Sequence, residues 1–374
     1  MIYFDNAATG GFKPSVVKDS AINCIKYICA NPGRSGHRLA TTGANLIYKC
    51  RETLAELFNC GSPMRVCFTK NATEALNTAI FGTLKKGGHI ITTVSEHNSV
   101  LRPLFLLQER GDITLSLIEP TDILRQIKKV KNDKTYMVIL NAVSNVTGQE
   151  NDFTGVGEYC KKENIIFGLD GAQACGHTHI DMNKLGVNFL AVAGHKGLYG
   201  SMTVGALVFD KNTDILPLTF GGTGSESFSP YQPTFYPERL ESGTLNLPAI
   251  ASLGEGAFYV SRNIDTFAKI LIEYTATLIC GLDKINGVTV YSKPNPYGIV
   301  AFDVEGYSSD EFADLLSSEY DIAVRGGLHC APLMHKWLNT TEKGLVRASL
   351  APQNSAREIY TFISAVKEIL DKKN

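Results

Sequence analysis

The sequence has no apolar stretch long enough to span a bilayer, and its first residues do not follow the pattern of a secretory signal. These two absences predict a cytoplasmic protein that does not associate with membranes. Charge of one sign is also scarce, because the formal net charge is −1 at pH 7 and no basic run carries interleaved aromatic residues. We therefore expect no nucleic acid partner. Internal repeats and low-complexity linkers are absent as well, so we expect any two domains to pack directly against each other.

The nine cysteines lack the spacing of a disulfide framework, and an odd number is typical of reduced thiols in a large chain. Cys175, His177 and His179 come closest to a metal cluster. They lack the paired spacing of zinc ligands, so we predict no metal site. The glycine-rich segment 221–225 lacks the context of a dinucleotide fingerprint and the ending of a P-loop. It is interpreted as a flexible loop, or alternatively as a cover for the active site of a partner subunit.

What the sequence does contain is an alternation of short β-rich runs and helical stretches from about residue 46 to residue 209. This alternation predicts an α/β fold with a largely parallel sheet. Beyond about residue 254 the pattern changes, with predicted strands at 287–291 and 299–304, a capped helix from residue 308, and an apolar stripe on the last helix. We predict a large domain over 13–254 and a smaller α+β domain formed by 1–12 and 255–374.

Polar or ionisable side chains follow five consecutive predicted strands. Open parallel sheets bind ligands outside the carboxyl ends of their strands, so we expect these side chains to line one cleft. Taken alone, a lysine after a strand is usually a solvated loop residue, and a hydroxyl at a helix start is usually a cap. Their agreement favours a functional site. The residues are Thr73, His97, Asn145, Asp170 with Gln173, and His195 with Lys196.

A lysine, an aspartate and a flat histidine beside an anion-binding helix start are what pyridoxal phosphate requires. The amine bonds to the aldehyde of the cofactor, and the aspartate keeps the pyridine nitrogen protonated, so that the ring accepts electrons. The N–H groups and the hydroxyl at the helix start around Asn71 to Thr73 suit the phosphate.

The segments that carry these residues resemble, in order, motifs of the class V aminotransferase-fold enzymes. The resemblance is greatest to the shorter-loop branch of the cysteine desulfurase and selenocysteine lyase family. It implies a pyridoxal-phosphate-dependent transferase of fold type I, with a mostly parallel seven-stranded sheet in the large domain and a smaller α+β domain. The matching segments are 3–9, 71–74, 96–98, 143–148, 170–174, 193–200, 241–246 and 325–331.

The resemblance implies a role for each polar side chain in holding the cofactor. Lys196 forms the Schiff base with its aldehyde, Asp170 contacts the pyridine nitrogen, and Gln173 contacts the phenolic oxygen. His97 stacks on the ring. The phosphate is held by Ala72, Thr73 and His195, joined by Thr244 from the neighbouring subunit of a homodimer.

The resemblance also assigns residues to the substrate. Asn145 and Arg347 bind the substrate carboxylate, a task that suits arginine because its planar fork matches two carboxylate oxygens. Arg325 and His37 line the same pocket.

Cys330 matches the catalytic cysteine of the family, although Leu328 stands where many members have a second histidine. A thiolate at this position attacks the sulfur of a substrate cysteine, and neighbouring His329 and Arg325 are expected to favour the ionised form. The alternative is a structural cysteine in a glycine-flexible loop.

The resemblance thus implies conversion of L-cysteine to L-alanine, with the sulfur left on Cys330 and later removed by a thiol or an acceptor protein. Selenocysteine lyase and cysteine sulfinate desulfinase are alternatives that keep the cofactor, and a catalytically quiet sulfur-transfer scaffold is an alternative outside the enzymes. The presence of both Lys196 and Asp170 argues against the scaffold.

One residue departs from the family pattern. Ala193 stands where members commonly have a serine that bonds to the phosphate. The loss of one such hydrogen bond predicts looser retention of the cofactor.

Overall fold

The computed structural model of the chain describes residues 1–33 and 35–373. Its strands are β1 (Ile2–Tyr3), β2 (Val66–Thr69), β3 (Gly88–Thr93), β4 (Ile113–Ile118), β5 (Thr135–Asn141), β6 (Ile166–Asp170), β7 (Phe189–Ala193), β8 (Gly205–Phe209), β9 (Val288–Val290), β10 (Ile299–Val304), β11 (Ile322–Ala323) and β12 (Val346–Ser349). Its α-helices are α1 (Ser15–Tyr27), α2 (Arg38–Phe58), α3 (Ala72–Gly82), α4 (Asn98–Glu109), α5 (Ile123–Val130), α6 (Val156–Lys162), α7 (Met182–Leu185), α8 (Leu247–Ser261), α9 (Ile264–Leu282), α10 (Ser309–Tyr320), α11 (Pro332–Trp337) and α12 (Ala356–Lys373).

A seven-stranded sheet in the order β2-β8-β7-β6-β5-β3-β4 forms the centre of the fold. Its strands are parallel except β8, which runs antiparallel to both of its neighbours. One face packs against α2 and α8, and the other packs against α3 and α4. This arrangement confirms the predicted α/β fold with a mostly parallel seven-stranded sheet.

The edge strand β4 is a part of this sheet that the sequence pattern did not predict. Only its first and last residues, Ile113 and Ile118, are buried, and the four residues between them are partly or fully exposed. The strand therefore lacks the continuous apolar run that marks the central strands of a parallel sheet.

Side-chain caps place the helices that follow the strands. Asn71 accepts a hydrogen bond from the backbone N–H of Glu74 at the start of α3, with a distance of 2.9 Å. The predicted cap of α10 is confirmed, because Ser308 accepts from the N–H of Glu311 at 3.3 Å. These caps satisfy N–H groups that have no carbonyl partner within the helix, and they fix where each helix begins.

The ends of the chain meet in a second, smaller region. An antiparallel sheet has the order β12-β10-β9, and β1 pairs in parallel with β11. A separate hydrophobic core lies here, and α12 contributes its apolar stripe to it. The predicted boundary at residue 254 falls within α8, so the exact division into 13–254 and 255–374 stays a prediction. Across residues 1–33 and 35–373, no helix has the length and apolar character needed to cross a membrane.

Candidate active site

A cavity opens at the carboxyl edge of the seven-stranded sheet. The strands β5, β6 and β7 and the starts of α3 and α4 bring polar residues to it from five separate segments. Eight of the predicted site residues line this one cavity. They are Ala72, Thr73, His97, Asn145, Asp170, Gln173, His195 and Lys196.

Lys196 lies in the turn after β7, where its N–H donates to the carbonyl of Ala193 at 3.4 Å. Burial, with a smaller contribution from Arg347, lowers the pKa of the Lys196 amine to about 8, while Asp170 acts in the opposite direction. The turn is held from outside by Lys13, whose amine donates to the carbonyls of His195 at 3.0 Å and Gly200 at 2.7 Å. No local sequence pattern identifies Lys13, because its partners lie more than 180 residues away along the chain.

Asp170 is the last residue of β6, and only 5% of it is exposed. Burial raises the pKa of its carboxyl, and Lys196 opposes that shift. One carboxylate oxygen accepts from the N–H of Ala172 at 2.9 Å. Nearby, Gln173 donates its side-chain amide to the carbonyl of Ala7 at 3.0 Å, which ties the N-terminal segment to the cavity.

Two histidines in the cavity are neutral. Burial, together with a smaller effect of the charge of Lys196, lowers the pKa of both His97 and His195 to about 4. The N–H of Ser99 donates to Nδ1 of His97 at 3.0 Å, so the ring proton of His97 lies on Nε2. Nδ1 of His195 lies 3.1 Å from the hydroxyl of Thr9. His97 is therefore an uncharged flat ring that its own helix start holds in place.

The start of α3 lies at one end of the cavity. The hydroxyls of Thr73 and Ser99 lie 2.7 Å apart, so two adjacent helix starts share one polar corner. The first N–H groups of a helix have no internal acceptor and point outward from its end. Ser99 was not predicted, although its position two residues after His97 at the start of α4 is a signal that helix-capping rules can detect.

Arg347 and Asn145 form a buried polar pair beside the cavity. Arg347 is 1% exposed, and one of its terminal nitrogens donates to the carbonyl of Asn145 at 2.8 Å. The other donates to the carboxylate of Asp5 at 3.1 Å. Within the described part of the chain, Nε of Arg347 and Oδ1 of Asn145 are buried without a hydrogen-bond partner. Asn145 lines the cavity, whereas Arg347 is not among its lining residues.

Cys330 is exposed on the loop before α11 and is not one of the residues that line the cavity, although its loop is bonded to one of them, Asn145. Both Cys330 and His329 have positive φ angles, of 58° and 50°. The carbonyl of Cys330 accepts from the N–H of Asn98 at 2.7 Å, and that of His329 accepts from the side chain of Asn145 at 2.7 Å. A terminal nitrogen of Arg325 lies 3.9 Å from the sulfur. The expected effect of Arg325 on the thiol therefore has a geometric basis.

The expectation that His329 favours the ionised thiol is wrong. Its ring is 2% exposed and is turned into the core, where Nε2 donates to the carbonyl of Leu345 at 3.0 Å. Burial lowers the pKa of His329 to about 2, so the ring carries no charge that could stabilise a thiolate. Adjacent residues of this loop face opposite ways, and His329 anchors the loop while Cys330 faces solvent.

His37 and Thr244 are exposed and lie outside the cavity of their own chain. His37 caps α2, because its Nδ1 accepts from the N–H of Ala40 at 3.4 Å. The hydroxyl of Thr244 lies 3.5 Å from the side-chain amide of Asn31. The predicted contribution of Thr244 to a neighbouring subunit stays a prediction, and so does the place of His37 in a substrate pocket.

The cysteine and histidine side chains of segment 175–179 differ in their exposure to solvent. Cys175 and His177 are largely buried, whereas His179 is exposed and lies 3.0 Å from the carboxylate of Asp265. Over residues 1–33 and 35–373, no three histidine, cysteine or acidic side chains converge as metal ligands would. All nine cysteines lie in the described part of the chain and are unpaired.

The chain is similar to known proteins over almost its full length. The model of the family "Aminotransferase class-V" matches residues 2–362. A probable cysteine desulfurase from Pyrococcus abyssi is 33% identical, with 99% of this chain and 94% of the relative covered. The solved structure of a cysteine desulfurase from Thermococcus onnurineus NA1 has a TM-score of 0.92 at 31% identity and covers 99% of this chain and 95% of its own. A cysteine desulfurase structure from Escherichia coli, at 24% identity and a TM-score of 0.89, supports the fold alone and covers 99% of this chain and 94% of its own.

Proposed function

The chain belongs to the aminotransferase class-V family, and we propose that it is a pyridoxal-phosphate-dependent cysteine desulfurase that forms L-alanine from L-cysteine and retains the sulfur on Cys330. One observation carries this proposal. Lys196, an amine whose pKa is lowered to about 8, lines the cavity, and the loop that carries Cys330, an exposed thiol beside an arginine, is hydrogen-bonded to Asn145 in the cavity wall. Neither group alone would suffice, because the reaction needs a base at the substrate carbon and a nucleophile at its sulfur.

The residues of the cavity fit pyridoxal phosphate. The start of α3, with Ala72 and Thr73, and the neutral ring of His195 suit the phosphate. Asp170 is a buried carboxylate that suits a protonated pyridine nitrogen, and Gln173 is placed for the phenolic oxygen. When bound, the cofactor supplies an electron sink for the electron pair that remains on the substrate after proton removal.

Lys196 is the group that we propose moves a proton at the substrate Cα. A lysine whose pKa is lowered to about 8 is neutral in a substantial fraction near physiological pH, so it can accept that proton and later return one as alanine forms. The neutral ring of His97 contributes a flat surface rather than a charge. Asn145 and Arg347 would bind the carboxylate, for which Nε of Arg347 is a free donor in the described part of the chain.

Cys330 would remove the sulfur. Its thiolate attacks the substrate sulfur, so that a sulfur–sulfur bond forms, the carbon–sulfur bond breaks, and the electron pair of that bond passes to the substrate carbon. Arg325 has a terminal nitrogen 3.9 Å from the sulfur, where it can donate to the reacting sulfur. Because Cys330 is exposed, the outer sulfur of the resulting persulfide is accessible to a thiol or to an acceptor protein.

The proposed enzyme is a cytoplasmic homodimer. Large apolar side chains, including Phe220, Phe228 and Tyr231, are exposed on the segment from residue 216 to residue 235. An apolar cluster of this kind is typical of a protein interface. Thr244 lies shortly after this segment in the sequence, and its exposed position supports a role at the phosphate of a neighbouring subunit.

The test is the intact mass of the purified protein after incubation with L-cysteine in the absence of reductant. We expect one added sulfur on the parent protein and none on Cys330→Ala. Matched controls are Cys29→Ala and Cys280→Ala, which remove the other two exposed thiols and should leave the adduct unchanged. Alanine release without any adduct would favour the selenocysteine lyase or sulfinate reading. Neither alanine nor adduct in cofactor-loaded protein would refute the proposal.

A further inference from the structure

We propose that Asp5 is a built-in counter-ion that occupies Arg347 in the free enzyme and yields this arginine to the carboxylate of the substrate. Asp5 would thereby set the affinity of the site for carboxylate ligands. This inference rests on the proposed function, because it takes Arg347 to be the group that recognises an amino-acid carboxylate.

The environment of Arg347 requires an anion. The side chain is 1% exposed, and a guanidinium does not lose its proton in a protein. Its two terminal nitrogens donate to the carbonyl of Asn145 and the carboxylate of Asp5, and Asp5 supplies the ion pair. A buried charge left without a partner is strongly destabilising, so the free enzyme needs Asp5 or an equivalent anion at this place.

The surrounding charges favour the exchange of one carboxylate for another. Arg325 lowers the pKa of Arg347 through repulsion, and Asp5 acts in the opposite direction, although burial has the largest effect. At Lys196, Arg347 and Arg325 also lower the pKa of the amine, while Asp170 and, to a smaller extent, Asp5 raise it. The site thus has an excess of positive charge that Asp5 offsets in part. An incoming carboxylate has the same charge as the Asp5 side chain and the same two oxygen atoms that accept hydrogen bonds.

The local structure allows Asp5 to leave without unfolding the N-terminal segment. Its backbone is fixed by a β-bridge to Ser349 and by its carbonyl, which accepts from the N–H groups of Ala8 and Thr9. The side chain is 23% exposed, and within residues 1–33 and 35–373 its carboxylate has one hydrogen bond, to Arg347. Rotation of one short side chain therefore releases the guanidinium. Asn145 lines the cavity and accepts from Arg347 through its carbonyl, and its Oδ1, which has no partner in the described part of the chain, is a further acceptor for a guanidinium that Asp5 releases.

Competition between Asp5 and the ligand carboxylate for Arg347 predicts the direction in which Asp5→Asn changes ligand affinity. If Asp5 must be displaced, then Asp5→Asn, which keeps the shape and removes the charge, tightens the binding of a carboxylate ligand. If Asp5 instead orients Arg347 while the ligand binds, the same substitution loosens binding. Because hydrogen bonds to charged groups are roughly twice as strong as neutral ones, we expect a change of about three- to tenfold.

The experiment measures dissociation constants of the cofactor-loaded protein for L-alanine and for ethylamine, from the change in absorbance of the bound cofactor at constant pH. Ethylamine is alanine without its carboxylate, so it reports on the amine side of the site alone. We expect the dissociation constant of alanine to fall by about three- to tenfold in Asp5→Asn, while that of ethylamine is unchanged. Asp321→Asn is the matched control, because Asp321 is an exposed carboxylate that pairs with the amino terminus beside β1.

An alanine constant that is unchanged or raised in Asp5→Asn would overturn the inference, as would equal shifts for the two ligands. Asp5→Ser, a second neutral variant, carries the same expectation if Asp5→Asn does not fold. If L-alanine leaves the absorbance of the parent protein unaltered, the proposed function fails and the inference fails with it. That outcome is recognised in the parent protein, before any variant is compared.

Discussion

Lys196 and Cys330 are two nucleophiles at one cleft, and the protein surrounds them in opposite ways. Lys196 follows a central strand, is partly buried, and lies in a turn that Lys13 and Thr9 hold from outside. Cys330 is exposed on a loop of the smaller region, with left-handed backbone at two successive residues. The difference matches the chemistry that each group must perform. Desolvation makes an amine neutral, whereas it makes a thiol harder to ionise.

Cys175 shows what burial does to a thiol in this protein. It lies below the cavity near Asp170, and burial raises the pKa of its thiol well above the ordinary range. The environment that prepares Lys196 as a base would therefore disable Cys330 as a nucleophile. Exposure also leaves Cys330 open to whatever receives the sulfur, whereas Lys196 needs to meet only the substrate. The two regions of the cleft supply the two environments separately.

The largest expected effect tests the buried side of this comparison. Because burial lowers the pKa of Lys196 to about 8, the rate at which cofactor-free protein bonds the cofactor aldehyde should rise with pH and level off above about pH 8. At pH 7 the neutral fraction of such an amine is about 300-fold greater than that of a lysine at its ordinary pKa. The measurement is the rate of the absorbance change on adding pyridoxal phosphate across this pH range.

Lys196→Ala is the control for this measurement, and it should give no covalent attachment at any pH. A rate that continues to rise beyond pH 10 in the parent protein would mean that Lys196 is solvated like a surface lysine. The contrast with Cys330 would then have no basis in burial.

The sequence predicts those parts of the site that depend on neighbouring residues in the chain, and it does not predict contacts between distant segments. Asp170 ends one apolar strand and Lys196 follows another. Parallel strands bring such residues together at one edge of the sheet, so the cavity was predictable from the positions of these residues at strand ends. The contacts of Asp5 and Lys13 were not predictable, because their partners are separated from them by 342 and up to 187 residues. Only tertiary packing brings these residues together.

The error at His329 has a different cause. Sequence adjacency to Cys330 suggested a charge beside the thiol, but two residues in a left-handed turn can face opposite directions. The direction of the ring depends on the carbonyl of Leu345, to which Nε2 donates, and no motif at residues 325–331 contains that information. The positions of charged groups along a loop are thus weaker predictors than strand ends.

The exposed side of the comparison is tested by two substitutions at the Cys330 loop. Arg325→Gln removes the cation 3.9 Å from the sulfur and should slow alkylation of Cys330 by iodoacetamide at pH 7 by about five- to tenfold. High salt should reduce this difference, because the pair is accessible to solvent. The alkylation rate is followed by peptide mass analysis after quenching at successive times.

His329→Gln is the matched variant, since it keeps a side chain that can donate to Leu345 and removes the imidazole. With a ring that is neutral in the parent protein, its loss should leave the salt dependence of alkylation unchanged. Equal slowing in both variants, with the same sensitivity to salt, would instead mean that His329 carries charge, and the proposed division of roles in the loop would be wrong.

The smallest expected effect returns to the buried side, at Ala193. This residue is the last of β7, is 2% exposed, and lines the cavity together with Ala72, Thr73 and His195. In Ala193→Ser a hydroxyl would face the end of the cavity that suits the phosphate. One added hydrogen bond should slow loss of the cofactor on dilution by about threefold, which the decay of cofactor absorbance measures.

The matched variant for Ala193 is Ala191→Ser, which places the same hydroxyl two residues earlier on the same face of β7, inside the core formed with α3 and α4. A hydroxyl there has no phosphate to meet, so this variant should lower the free energy of unfolding without slowing cofactor loss. If Ala193→Ser loses the cofactor as fast as the parent or faster, the added hydroxyl costs more in desolvation than it gains. Ala193 would then be the better residue for this particular cavity, and its departure from the family pattern would be compensated by the paired hydroxyls of Thr73 and Ser99.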